Sequence, residues 1–281
     1  MSDPGRASNE AGPKRILAAT DGSERAEEAV RQGARLASAL GSAFAVIYVV
    51  DTRRPHDDDV EAQAEGILER AGAIARDAGL DPELRMQAGD PAETLVAEAS
   101  VDAVDLICVG PDAGLLHGAI RIGQVAAHVL REARCSTLVA RPTDAAFPRR
   151  VACGVDGSEA SSATALLAAT IAVATHAELH LIHVVPVFRG DNAEWTLDPE
   201  EESPPELEPS VMAAASRGIV PIREMAMGRP EHALIAVAER DDIDLVVVGH
   251  RGVSGVRRVL LGSVSEHVAN HARSSVLVAR G

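Results

Sequence analysis

With 281 residues the chain is long enough for about two domains, each able to bury its own core. It is 46% hydrophobic but only 2% aromatic, and 42 acidic against 27 basic residues leave a net charge of −15. That balance disfavours nucleic acid as a partner, because the field repels polyphosphate backbones and few rings are present for bases to stack on. No run approaches the roughly 18 apolar residues that would span a bilayer.

Residues 1–15 are polar, carry Pro and Gly, and lack the apolar stretch of a secretory signal. Patterning then predicts a strand over Arg15–Thr20, an amphipathic helix over Ser23–Leu40 ending at Gly41, and a strand over Ala43–Val50. An acidic connection (Asp57, Asp58, Asp59) leads to a helix reaching about Gly79, then a short strand near Leu84–Gln87. Pro91 suits the first position of a helix running to about Ser100. A strand over Val104–Val109, a glycine-bearing loop, a helix over Gly123–Arg134 and a strand over Ser136–Ala140 follow. Strands alternating with helices predict parallel βαβ units. Residues 141–149, with Pro142 and Pro148, read as a linker.

The same order then recurs. Ile16–Ser23 is echoed by Val151–Ser158, Gly89-Asp90-Pro91 by Gly228-Arg229-Pro230, Asp105–Gly110 by Asp244–Gly249, and His128–Arg141 by His267–Arg280. Four landmarks in one order identify an internal duplication. The second copy departs twice. Its first helix, around Ser158–Thr175, carries almost no charge after Glu159, which predicts deeper burial than its charged twin, against the other repeat or a second chain. Gly190–Pro209, acidic and proline-rich, reads as a mobile loop. Cys108, Cys135 and Cys153 form no CxxC pair, and Cys108 and Cys135 fall in apolar strand runs; buried free thiols and a reducing, cytoplasmic compartment are expected.

The chemistry concentrates at Gly249-His250-Arg251-Gly252, followed by Gly262-Ser263. A strand ends in glycines and a glycine-serine pair opens a helix, an arrangement whose unpaired amides suit a phosphorylated ligand, although glycines also simply make turns. Strand one of each repeat ends in Asp-Gly-Ser (Asp21–Ser23 and Asp156–Ser158), where the Asp either accepts a bond from a ligand hydroxyl or amine or caps the next helix. His180 and His183, three apart on a strand, face opposite ways; His267 and His271 share a helix face, read as surface or interface rather than metal ligands.

These residues resemble the universal stress protein family in tandem form. Gly249-x2-Gly252-x9-Gly262-Ser263 is similar to the ATP-binding signature of that family's nucleotide-binding branch, and the Asp-Gly-Ser corner, the Gly-x-Pro and the Ser-Val-Leu-Val-Ala ending fit it too. The resemblance spans residues 14–141 and 150–280 and implies an α/β fold of two Rossmann-like five-stranded parallel sheets, order 3-2-1-4-5, paired through their last strands. It further implies a regulatory rather than catalytic protein that binds ATP with a divalent metal, Mg2+ or Mn2+, and associates with itself through its repeats or as a homodimer. Carried over by position, Asp156 meets the adenosine, Val184 the base edge, Gly249, Arg251 and Gly252 the ribose and phosphates, and Gly262, Ser263, Val264 and Ser265 the phosphates. Arg257 and Arg258 lie in the intervening loop.

In the first repeat the spacing from Gly110 to Gly123 is kept, but Ala113 replaces the second glycine, Gln124 the serine, and Asp112 stands where Arg251 stands in the second. Asp21, Val49, Gly110 and Gly123 remain, so tighter ATP binding is expected in the second repeat, by about tenfold or more. Two other readings stay open. A nucleotide-independent dimerisation scaffold corresponds to the family's other branch, and an adenylating enzyme needs a longer Gly-rich loop after strand one than Asp156-Gly157-Ser158 supplies.

Overall fold

Strand and helix alternate along the whole chain. The computed structural model describes residues 12–53, 55, 59–101, 103–111, 122–143, 146–185, 204–250 and 261–280. The first half runs β1 (Arg15–Thr20), α1 (Glu24–Leu40), β2 (Ala43–Asp51), α2 (Val60–Asp77), β3 (Glu83–Gly89), α3 (Pro91–Val101), β4 (Leu106–Val109), α4 (Gln124–Glu132) and β5 (Ser136–Val139). The second repeats it with β6 (Arg150–Val155), α5 (Glu159–Thr175), β7 (Glu178–Val185), α6 (Glu208–Ala215), β8 (Ile222–Met227), α7 (Pro230–Arg240), β9 (Leu245–Gly249), α8 (Ser263–His271) and β10 (Ser275–Ala279). α6 begins inside the stretch read as a loop, because Pro209 fits a first helical turn and Leu207 is fully buried; residues 186–203 lie outside the described ones.

The strands form one ten-stranded sheet, ordered β3-β2-β1-β4-β5-β10-β9-β6-β7-β8. Each half therefore has the expected 3-2-1-4-5 order, and the halves join through their last strands. Pairing is parallel within each half and antiparallel at the junction, where Val276, Leu277 and Val278 face Val139, Leu138 and Thr137. Successive strand residues point to opposite faces, so the apolar strands feed two cores. Ile16, Leu106, Cys108, Val151, Cys153 and Val247 pack under α1, α2, α5 and α6; Leu17, Ile107, Val109, Ala152, Val246 and Val248 pack under α3, α4, α7 and α8.

α5 is not the more buried of the two first helices: it buries eight residues and α1 nine. Charge on α1 did not mean exposure, because Glu28 and Gln32 are buried in a polar network at the junction. The Gln32 side-chain amide donates to Glu28 (2.9 Å) and to the Arg141 carbonyl (2.7 Å), and Ser275 Oγ donates to Gln32 Oε1 (2.8 Å). Arg31 and Thr143 also engage Glu28. α5 has Ala163 and Leu167 at the equivalent places and is covered by α6, while also touching α1 of the other half.

Two arginines cross the junction symmetrically. Arg141, fully buried, donates through Nη1 to the Ser274 carbonyl (3.2 Å) and through Nη2 to the Ala269 carbonyl (2.5 Å), near the end of α8. Arg280 donates through Nη2 to the carbonyls of Leu130 (2.9 Å) and Arg131 (2.7 Å) at the end of α4. Each half thus ends in a cation that satisfies the last carbonyls of the other half's last helix. Burial pulls the Arg141 guanidinium down to about 10, so it remains charged at neutral pH.

Candidate functional site

In an open parallel sheet, ligands sit beyond the carboxyl ends of the strands, where the strand order reverses. In the second half that place lies between β6 and β9. Asp156 follows β6, Val184 sits near the end of the neighbouring β7, and Gly249 ends β9. The Asp-Gly-Ser corner divides its labour. Ser158 Oγ accepts the Ser161 amide (3.1 Å) and is the helix cap, whereas Asp156 Oδ1 accepts the Ser158 amide (3.1 Å) and hydroxyl (2.6 Å) and folds the corner around Gly157 at φ +78°. In the first half Ser23 accepts the Ala26 amide (3.2 Å) and Asp21 the Ser23 amide (2.9 Å), around Gly22 at φ +81°. Serine rather than aspartate caps both helices.

The two ends of the glycine motif are tied together. The His250 amide donates to the Ala279 carbonyl (2.8 Å), and the His250 carbonyl accepts the Gly262 amide (2.9 Å). Between them, Arg251, Gly252, Arg257 and Arg258 lie outside the described residues. Gly262 is the N-cap of α8, its carbonyl accepting the Glu266 amide (2.8 Å). Ser265 Oγ donates to the Gly249 carbonyl (2.5 Å), pinning the helix start to the strand end. With Gly262 N–H and Ser265 Oγ engaged, the donors that open α8 are the backbone amides of Ser263, Val264 and Ser265, with Ser263 exposed at the rim.

In the first half, Asp21, Val49, Gly110 and Gly123 line one cavity of about 1480 Å³, large enough for a nucleotide. Asp21, Glu24 and Asp51 face it against Arg25 and Arg53. Arg53 is held by Asp51 (2.8 and 3.0 Å) and by Asp90, which keep its guanidinium firmly charged. Gly110 has a packing reason of its own: a Cβ there would lie 3.0 Å from the Arg25 carbonyl oxygen. Gly123 caps α4, its carbonyl accepting the Ala127 amide (2.9 Å). Asp112 and Ala113 lie outside the described residues.

Spacing did not reveal two clusters. His180, buried on β7, bonds through Nδ1 to Glu224 (2.5 Å), and Asp241 completes a trio whose ligand atoms lie within 4.8 Å of one another. Arg240 Nη2 bridges Glu224 and Asp241 at 2.6 Å each, so a cation already occupies this group. His183, on the same strand, turns to the Val155 carbonyl (3.1 Å). On the same face of the sheet as that trio, at the other end of α7, His267 of α8 lies between His232 of α7 and His271, with ring centroids 4.9 and 4.1 Å away. Burial, then His271 and His232, lower the His267 pKa. Among the described residues, the His180 trio is the single group of three His, Cys, Asp or Glu with ligand atoms this close, and it lies toward the amino end of β7, away from the α8 N-terminus. A divalent ion accompanying a nucleotide there would be held through phosphate oxygens and water, as Mg2+ commonly is.

Comparison with known proteins agrees with this architecture. A universal stress protein of Mycobacterium tuberculosis is 28% identical over 298 aligned positions, covering 94% of this chain and 96% of its own. One from Methanocaldococcus jannaschii is 36% identical over 139 residues, 47% of this chain and 82% of the relative. The crystal structure of a universal stress protein from Archaeoglobus fulgidus superposes with a TM-score of 0.75 at 22% identity, covering 95% of this chain and 99% of that one, a likeness of fold. The family model of the universal stress proteins matches residues 12–141 and again 148–280, nearly the whole length twice over. The chain belongs to the universal stress protein family.

Proposed function

We propose that this protein is an ATP-responsive regulatory module built of two units, 14–141 and 150–280, in which the second unit holds the nucleotide. The observation that carries the reading is the start of α8. The Gly262–His250 and Ser265–Gly249 bonds fix a helix N-terminus beside the ends of β6 and β9, its first amides directed outward and unused by the helix. An anion at such a terminus gains about 0.3–1 kcal/mol per contact at an exposed site, and three amides converge here. Asp156 and the Val184 backbone stand where the adenosine is expected, Arg251 and Gly252 belong to the phosphate loop, and Mg2+ or Mn2+ travels with the phosphates. The first unit keeps the cavity and its Asp21, Val49, Gly110 and Gly123, but the acids facing that cavity oppose a triphosphate. A site of this kind binds and signals rather than transforms its ligand, and its occupancy biases association with a partner or a second copy.

Equilibrium dialysis with labelled ATP tests this. One high-affinity site per chain is expected, weakened tenfold or more (about 1.4 kcal/mol) by Ser263→Asp, which sets a carboxylate against the phosphates, and little changed by Gln124→Asp. Equal occupancy of both halves, or none at millimolar ATP, overturns the reading.

A further inference from the structure

We propose that His232, His267 and His271 form a binding site for a divalent transition-metal ion of the zinc, nickel or copper class. The sequence places His267 and His271 one turn apart on α8; the fold brings a third imidazole, His232, to them from the first turn of α7. The His267 and His271 rings stack at 21° with centroids 4.1 Å apart, and His232 meets His267 edge-on at 63°. His271 is already set for ligation. Its Nδ1 lies 2.9 Å from the His267 carbonyl, an acceptor, so Nδ1 carries the proton and Nε2 presents its lone pair. That is the orientation by which metal-binding histidines are held through a second bond to a backbone carbonyl.

The duplication supplies a control inside the molecule. The places of His232 and His267 are taken in the first half by Glu93 and His128, an acid and a base 3.4 Å apart, and the place of His271 by Glu132. The second half has exchanged both acids for imidazoles. As an ion pair the arrangement makes no sense there; as a set of nitrogen donors it does. The three nitrogens do not all lie within 4.8 Å as the rings stack, and convergence requires the exposed His232 to swing in by a change of rotamer while His271 keeps its bond to the His267 carbonyl. The His180, Glu224 and Asp241 trio does converge, but Arg240 fills it. Imidazole donors select borderline metals over Mg2+ or Ca2+, which take oxygen ligands. The site is therefore chemically distinct from a metal carried by nucleotide phosphates and does not depend on nucleotide binding.

Calorimetric titration of the tag-free, nucleotide-free full chain with ZnCl2 and with NiCl2 tests the assignment. One ion per chain is expected, undisturbed by excess MgCl2. His267→Ala and His271→Ala should each weaken it by about 100-fold and His232→Ala by about tenfold, with His180→Ala unchanged. These three side chains are exposed or half-exposed, so the variants should keep the wild-type circular dichroism spectrum. Binding that survives His267→Ala and His271→Ala, that disappears in His180→Ala, that Mg2+ displaces, or that is missing at millimolar metal overturns the proposal.

Discussion

Cys108 and Cys153 are fully buried and Cys135 is nearly so, all three as free thiols. Burial pushes Cys135 up to about 11 and Cys153 up to about 12, and raises Cys108 further still. Since the thiolate is the nucleophile, these groups are protected twice, by access and by protonation. Iodoacetamide at mildly alkaline pH should leave the native mass unchanged and add three labels in concentrated urea; rapid native labelling would show that the strands open locally. At this scale the sequence was readable where a residue has few options. A valine-rich run with an embedded cysteine is a buried strand, and the two Asp-Gly-Ser corners announce a turn followed by a cap. Which side chain caps was not readable, because Asp and Ser do it equally well; the positive φ at Gly22 and Gly157 swings the aspartate back onto the serine. His232 was invisible as a partner of His267 because the contact joins two helices.

Among the elements, α4 and α8 have their C-terminal ends held by the opposite half. Arg141 makes its contacts fully buried, Arg280 half-buried. A charge-assisted bond contributes roughly 1.5–3 kcal/mol, and stranding its buried acceptors costs more than the bond itself is worth. Arg141→Ala should lower stability by about 3 kcal/mol and Arg280→Ala by about half as much, measured as shifts of the urea midpoint. Equal effects would show that burial does not set the difference. Helix and strand limits came close from periodicity and punctuation alone: β1 and α1 lie where Arg15–Thr20 and the Ser23–Gly41 stretch predict. The contrast between α1 and α5 was misjudged because a helical wheel shows which faces are charged, not what meets them. Glu28 is buried because the Gln32 amide, Arg31 and Thr143 meet it, and Gln32 itself bonds to Arg141 and Ser275, each more than a hundred positions away.

For the whole molecule, the duplication gave the recurrence of the same succession of elements, while the strand order within each half and the union of the halves through their last strands followed from the family resemblance and not from any local pattern. That union has a mechanical consequence. Besides the linker, the halves share the β5–β10 ladder, the crossed arginines, the Ser275–Gln32 bond and the α1–α5 contact. If an engineered protease site is cut within 142–149 in the folded protein, the two pieces should remain together and elute from gel filtration at the intact position. Separation of the pieces without denaturant would show that the covalent link, not the junction, holds the molecule together.

The antiparallel step between β5 and β10 reverses the direction of every strand beyond it. The carboxyl ends of β1–β5 and of β6–β10 therefore open on opposite rims of the sheet, so the two candidate sites look away from each other. At physiological salt, exposed charges lose sight of one another beyond about 8 Å, and a ten-stranded sheet with strands about 4.8 Å apart sets the mouths farther apart than that. Two bound anions would not repel each other across the molecule. Any inequality between the halves must be written locally, in the acids and amides at each rim, and a partner protein that reads one mouth leaves the other in open water.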